Sequence, residues 1–239
     1  MVVVLLMVGA VGVIPAQAAG EPWTAWLYEN QIGRVTRVDN TGALLSQFQL
    51  PADVGSTFSR NVAISADGML LGYSATTSAA TFVNVFDLST FTTVYSVSLS
   101  PNVTTSLEFS ANALNFSEGD STFAFSYTET GSSTGWQIMV VDLVTFSTSS
   151  LTEGDPAVTS MVSSPAFGFL LPVVTYNRDQ EIKFMMIPLG TDGAPRYDAY
   201  TWNIASNSIT ANEAYITPDT DTLPLTGEVI NTVSDSGFP

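Results

Sequence analysis

Two stretches of this chain repeat one pattern, and that repeat restricts the fold more than any other feature. Ser65-Ala66-Asp67-Gly68 is followed by an apolar run at 69–73 and then by Phe82-Val83-Asn84-Val85-Phe86-Asp87-Leu88-Ser89-Thr90. Ser117-Glu118-Gly119-Asp120 is followed by an apolar run at 122–127 and then by Trp136-Gln137-Ile138-Met139-Val140-Val141-Asp142-Leu143-Val144-Thr145. Each copy reads as a tight polar turn, a strand, a polar connection, a second strand and a polar turn. Asp-Gly suits such a turn because Gly accepts positive φ and an Asp carboxylate bonds neighbouring backbone amides. On this reasoning Asp67, Gly68, Asp87 and Asp142 are structural turn residues rather than catalysts.

The same order extends in both directions. Strand-like runs at 23–28, 34–39 and 43–50 precede the first copy, with Asn40-Thr41-Gly42 as a hairpin turn. The two central units add 61–64 and 93–99, then 106–109, 113–116 and 146–151. A divergent unit follows at 168–171, 173–176, 182–188, 200–204 and 208–210. The polar residue closing the third strand of each unit is Asp39, Asp87, Asp142 or Asn203, at intervals of 48, 55 and 61 residues. Four short strands recurring at about 40 to 50 residues are the pattern of propeller blades. The expected fold is therefore all-β, a β-propeller-like array of about four four-stranded antiparallel blades, with a large β-sandwich as the alternative.

The residues 65–73 resemble the S-P-D-G-x-x-[LI]-A-[FY] signature of WD-repeat-like and TolB-type β-propellers. Val85-Phe86-Asp87-Leu88-Ser89-Thr90 and Val140-Val141-Asp142-Leu143-Val144-Thr145 resemble the V-x-D-L-x-T-G segment that follows it. Ala66 stands where the family has Pro, and only Asn40-Thr41-Gly42 keeps Gly after the Thr. The likeness covers roughly residues 23–210. It implies a propeller fold whose members include scaffolds, periplasmic adaptors and non-catalytic domains of peptidases.

Composition narrows the chemistry. The 239 residues contain 22 acidic and six basic side chains, a net charge of -16, with no Cys and no His. Thiolate nucleophiles, zinc–thiolate sites, histidine-ligated metals and a Ser-His-Asp triad are thereby excluded. The scattered basic residues argue against nucleic acid or an anionic membrane surface as partner. Residues 1–18 read as a signal peptide, an apolar run at 2–14 followed by Pro15 and Ala16-Gln17-Ala18, which predicts a secreted protein, extracellular or periplasmic, with no stable membrane span after cleavage. Blades are expected over 19–212, and 213–239 would be a closing strand, a linker or the start of a further blade. Asn102-Val103-Thr104 and Asn115-Phe116-Ser117 are glycosylation sequons in form.

Three kinds of site remain open to such a chain. Paired carboxylates for glycoside hydrolysis could come from Glu108, Asp120, Asp179 and Glu181. The acidic loops Glu118-Gly119-Asp120 and Asp219-Thr220-Asp221 offer oxygen ligands for Ca²⁺, without the spacing of an EF-hand loop. Trp136 and Trp202, with Trp23 and Trp26, could form a sugar-stacking platform, against the default of core packing. The leading expectation is a non-enzymatic binding or scaffold propeller with a protein or glycan partner and no cofactor. The alternative is a carboxylate-based glycan-active hydrolase.

Overall fold

A computed structural model describes residues 23–108, 115–129, 135–161, 171–178, 180–186 and 198–211. They form four antiparallel sheets in chain order. The first holds β1 (Thr24–Glu29), β2 (Arg34–Asp39) and β3 (Leu44–Gln49). The second holds β4 (Thr57–Phe58), β5 (Ala63–Ile64), β6 (Leu70–Thr76), β7 (Thr81–Asp87) and β8 (Thr92–Leu99). The third is β9 (Val103–Thr105), β10 (Thr122–Glu129), β11 (Trp136–Asp142) and β12 (Thr148–Thr152). The fourth is β13 (Val173–Arg178), β14 (Glu181–Met186), β15 (Asp198–Asn203) and β16 (Ser208–Ala211).

Within each sheet, β4 and β5 apart, consecutive strands are neighbours, so each is a meander. The units align residue by residue. Asp39 opposes Thr24, Asp87 opposes Leu70, Asp142 opposes Thr122 and Asn203 opposes Glu181. By this register the first sheet corresponds to strands two to four of the others, and its innermost strand is absent among the described residues.

The first strand of the two central blades is split. In the second sheet β4 and β5 both pair with β6, to either side of residues 59–62. In the third, β9 pairs with the far end of β10, and Phe116 bridges Phe123 at its near end. One serine mends each gap: the Ser74 amide donates to Ser59 Oγ (3.0 Å), and the Ser126 amide to Ser106 Oγ (3.1 Å). The strand expected at 106–109 is thus interrupted: Ser106–Glu108 is a single 3-10 turn. The gap serines let the polar backbone of an interrupted inner strand stay hydrogen-bonded while buried.

Packing separates the array from a sandwich. Four sheets enclose three successive cores. Trp26, Phe58, Tyr73 and Phe86 lie between the first and second sheets. Val83, Val85, Phe123 and Phe125 lie between the second and third, and Trp136, Ile182, Phe184 and Trp202 between the third and fourth. A central strand therefore feeds both neighbours: in β10, Phe123 and Phe125 face backward while Ala124 faces forward. Alternating side chains that are apolar on both faces demand this stacking, because a two-layer sandwich buries one face of each sheet. The chain is an all-β, propeller-type array of antiparallel blades.

Contacts between blades are close. A Cβ added to Gly72 would stand 2.5 Å from the Phe123 ring, so only glycine fits there. Ser74 Oγ meets Thr105 Oγ1 at 3.1 Å, Thr122 Oγ1 donates to Asn177 Oδ1 at 2.9 Å, and Ser126 Oγ donates to the Pro172 carbonyl. After β12 a short helix α1 (Pro156–Met161) packs on β16. Its start follows helix chemistry: the Ala157 amide donates to Asp155 Oδ1 at 2.8 Å, with Pro156 in the first turn.

Candidate functional site

A meander of four strands has two ends. The first-to-second and third-to-fourth turns share one end, and the second-to-third turns take the other. Asp39, Asp67, Asp87, Asp120, Asp142 and Asn203 all fall at the first end. Adjacent blades meet there, since the Glu118 carboxylate lies 3.7 Å from Arg178 of the next blade, with both side chains exposed.

At the third-to-fourth turn, the aligned residues do the same work four times. Asp39 Oδ1 accepts from the Thr41 and Ala43 amides (2.8 and 3.0 Å), and Asp87 Oδ1 from the Ser89 and Thr90 amides (2.7 and 3.0 Å). Asp142 Oδ1 accepts from the Val144 and Thr145 amides, both at 2.8 Å, and Asn203 Oδ1 from the Ser206 amide at 3.0 Å. In Asp39, the Thr41 hydroxyl and these amides hold the carboxyl below its ordinary value; the Thr145 and Val144 amides do so for Asp142. In Asp87 burial opposes, but the Ser89 and Thr90 hydrogen bonds together lower the carboxyl.

The first-to-second turn occurs twice with one geometry. The Leu70 amide donates to Ser65 Oγ (2.8 Å), and the Thr122 amide to Ser117 Oγ (3.0 Å). The Gly68 amide donates to the Ser65 carbonyl, and the Asp120 amide to the Ser117 carbonyl, both at 2.9 Å. The left-handed residue is Gly68 (φ 72°) in one copy and Asp120 (φ 54°) in the other. Gly119, which the sequence pattern offers for that conformation, does not take it.

Asp67 Oδ1 accepts from Ser65 Oγ (2.6 Å) and the Met69 amide (2.8 Å). Asp120 instead reaches the neighbouring blade. Burial, then the Asp67 charge, push its carboxyl above the ordinary value, while the Ala66 and Asp67 amides draw it down. Its Oδ1 is buried without a hydrogen-bond partner among the described residues. The Asp120 carboxyl thus lies close enough to the neighbouring blade to feel the Asp67 charge.

Glu108 lies elsewhere, in the interruption of the third blade's inner strand. Burial raises its carboxyl, opposed by the Arg60 amide and guanidinium. The Arg60 amide donates to Glu108 Oε2 at 3.4 Å, and Tyr28 Oη donates to the Ser59 carbonyl at 2.8 Å. Glu181 opens β14 opposite Asn203, and Asp179 lies outside the described residues. Among the described residues no group of three or more acids is placed to hold a metal ion. Glu118 faces Arg178 while Asp120 faces Asp67, so one loop sends its two acids in different directions; the second acidic loop, 219–221, lies outside the described residues.

Trp136 and Trp202 are 5% and 2% exposed in the core between the third and fourth blades. Trp202 Nε1 donates to Asn207 Oδ1 at 3.0 Å, and Trp136 packs on Phe184 with ring centroids 6.1 Å apart. Neither ring offers a face to a sugar. Of the two sequons, Asn102 is exposed, whereas Asn115 is buried with its amide donating to the Ala124 carbonyl at 2.8 Å.

One feature escaped the sequence reading. One residue near the end of each third-to-fourth turn has positive φ: Gly42 (83°), Phe91 (57°), Phe146 (59°) and Asn207 (46°). Aligning the four closing polar residues places these side by side, with the first turn one residue shorter. Phenylalanine in that conformation costs about 1–2 kcal/mol through Cβ crowding. Each ring touches the preceding blade, Phe91 against Phe48 (5.2 Å) and Phe146 against Tyr95 (6.5 Å).

No family model matches the chain, and no curated protein matches it. Several solved structures align with the chain at low identity. An uncharacterised protein from Listeria monocytogenes aligns at 14% identity and TM-score 0.49, covering 80% of this chain and 50% of its own. The β-propeller domain of the Trilobed protease from Pyrococcus furiosus aligns at 12% and 0.47, covering 82% and 54%. A putative TolB from Agrobacterium tumefaciens aligns at 13% and 0.40, covering 74% and 55%. The chain spans about half the length of these proteins. Its class, a β-propeller-type array, rests on its own sheets and cores. No helix among the described residues is long and apolar enough to cross a membrane.

Proposed function

We propose that this chain is a secreted, non-enzymatic binding or scaffold propeller that mediates protein or glycan interactions, extracellular or periplasmic in place. One observation supports the reading: among the described residues, the turn acids and two of the candidate hydrolase acids, Asp120 and Glu108, are engaged within the fold. Asp39, Asp87 and Asp142 bind the amides of their own turns, and Asp120 abuts Asp67. Glu108 faces Arg60 rather than a second acid. What the blades leave to a partner is turn surface.

The test is reducing-sugar release from a polysaccharide panel by the parent and by Glu108→Gln, Asp120→Asn, Asp179→Asn and Glu181→Gln. The expected result is no release above blank by any of the five. Release by the parent that one variant abolishes would replace this reading with the hydrolase.

A further inference from the structure

Exposed large apolar side chains are not spread evenly over the described residues. Nine are well exposed, and seven of these stand at the end of the strands that carries the Asp turns. Phe91 (53% exposed), Val144 (74%) and Phe146 (55%) lie in third-to-fourth turns, and Leu44 and Leu45 follow such a turn. Met69 and Trp23 precede second strands at the same end, while only Ile32 and Val54 lie at the other.

The two phenylalanines are the informative members. Gly42 and Asn207 hold the same left-handed position at little steric cost, yet the two central blades place there a residue that pays for it. The inter-blade contact with Phe48 or Tyr95 covers part of each ring, and about half remains open to solvent. Each open ring sits four residues after a carboxylate, Asp87 or Asp142, that its turn amides keep ionised. Two successive blades therefore present the same pair, an exposed aromatic ring beside a fixed negative charge.

We propose that the outer turns 87–92 and 142–147 form a docking surface for a basic, amphipathic segment of a partner protein. This rests on the binding reading above and names the partner's chemistry. Charge complementarity selects the occupant. The net charge of -16 opposes a second copy of the chain and an anionic lipid surface. The chain's own residues 212–239 carry five acids and no Lys or Arg, so they are repelled as well. A segment alternating cationic and apolar side chains satisfies both halves of the motif, with a central aromatic contact and a charged rim.

The probe is a synthetic peptide alternating Lys and Leu, titrated by fluorescence anisotropy against the parent, with an all-Lys peptide beside it. Phe91→Asn with Phe146→Asn keeps a residue type that Asn207 already places in this turn. It should weaken Lys-Leu binding at least about tenfold, or 1.4 kcal/mol. Ile32→Ser with Val54→Ser, at the opposite end, should leave it unchanged. Equal weakening by both double variants, or all-Lys binding as tightly as Lys-Leu, overturns the proposal. So does light scattering that shows a parent dimer which the double Asn variant dissociates, since the face would then belong to self-association. Sugar release in the preceding test would remove the binding reading itself, an outcome this titration does not produce.

Discussion

The turns at 65–68 and 117–120 have one backbone and two chemistries. Both are closed by a serine that accepts from the residue five positions on, and both put their fourth residue in the left-handed region. In the earlier copy that residue is Gly68, and the carboxylate of Asp67 stays within its own turn. In the later copy the residue is Asp120, whose carboxyl leaves its own turn for the neighbouring blade and lies against Asp67. The difference teaches that a repeat conserves backbone geometry first. A side chain freed from that task is available to join blades.

The largest effect should come where the blades touch most closely. Gly72→Val would drive a branched side chain into the Phe123 ring and should cost about 3 kcal/mol or more in urea unfolding. Gly119→Ala, with nothing within 4 Å of its added Cβ, should change stability by less than about 0.5 kcal/mol. Equal effects would break the claim that the blades are stacked in this register.

A smaller pair sharpens the comparison between the two turns. Gly68→Ala should lose about 1 kcal/mol because its φ of 72° crowds a Cβ. Asp120→Gly should gain up to about 1 kcal/mol, by relieving the same crowding and removing a carboxyl held against Asp67. A loss in Asp120→Gly would mean that the contact between blades is net favourable and the two turns differ less than described.

The pH dependences should have opposite signs. Asp87 has its carboxyl lowered by folding, so its contribution is present above the unfolded pKa and lost as pH falls through the folded one. Asp120 has its carboxyl raised, so stability is greatest below the unfolded pKa and declines as pH rises through the folded one. In unfolding measured from pH 7 downward, Asp87→Asn should converge on the parent at the acid end. Asp120→Asn should be relatively more stable than the parent near neutrality and lose that advantage in acid.

Much of this is legible in the sequence. Asp39, Asp87, Asp142 and Asn203 could be aligned because their turns are local: each side chain binds amides two to four residues ahead, and such bonding leaves a mark in the sequence. The left-handed role of Asp120 was hidden by Gly119 beside it, since glycine is the default reading of such a turn. Phe91 and Phe146 were hidden for the opposite reason, as no local rule places a phenylalanine at positive φ. Trp136 and Trp202 could be read as core or as platform, because their burial is set by a neighbouring blade about 60 residues away. The candidate acids were legible as residues and not as an arrangement: nothing near Glu108 in the sequence points to Arg60.

The turn carboxylates divide into two kinds, those lowered by their own turn and one raised at the neighbouring blade. Carbon-13 NMR titration of the aspartate carboxyls, assigned through single Asn variants, measures this division. Asp39, Asp87 and Asp142 should titrate below the ordinary aspartate range and Asp120 above it, with Asp67→Asn drawing Asp120 downward. If all four titrated together at ordinary values, and Asp67→Asn left Asp120 unmoved, both the shared turn chemistry and the contact between blades would be contradicted.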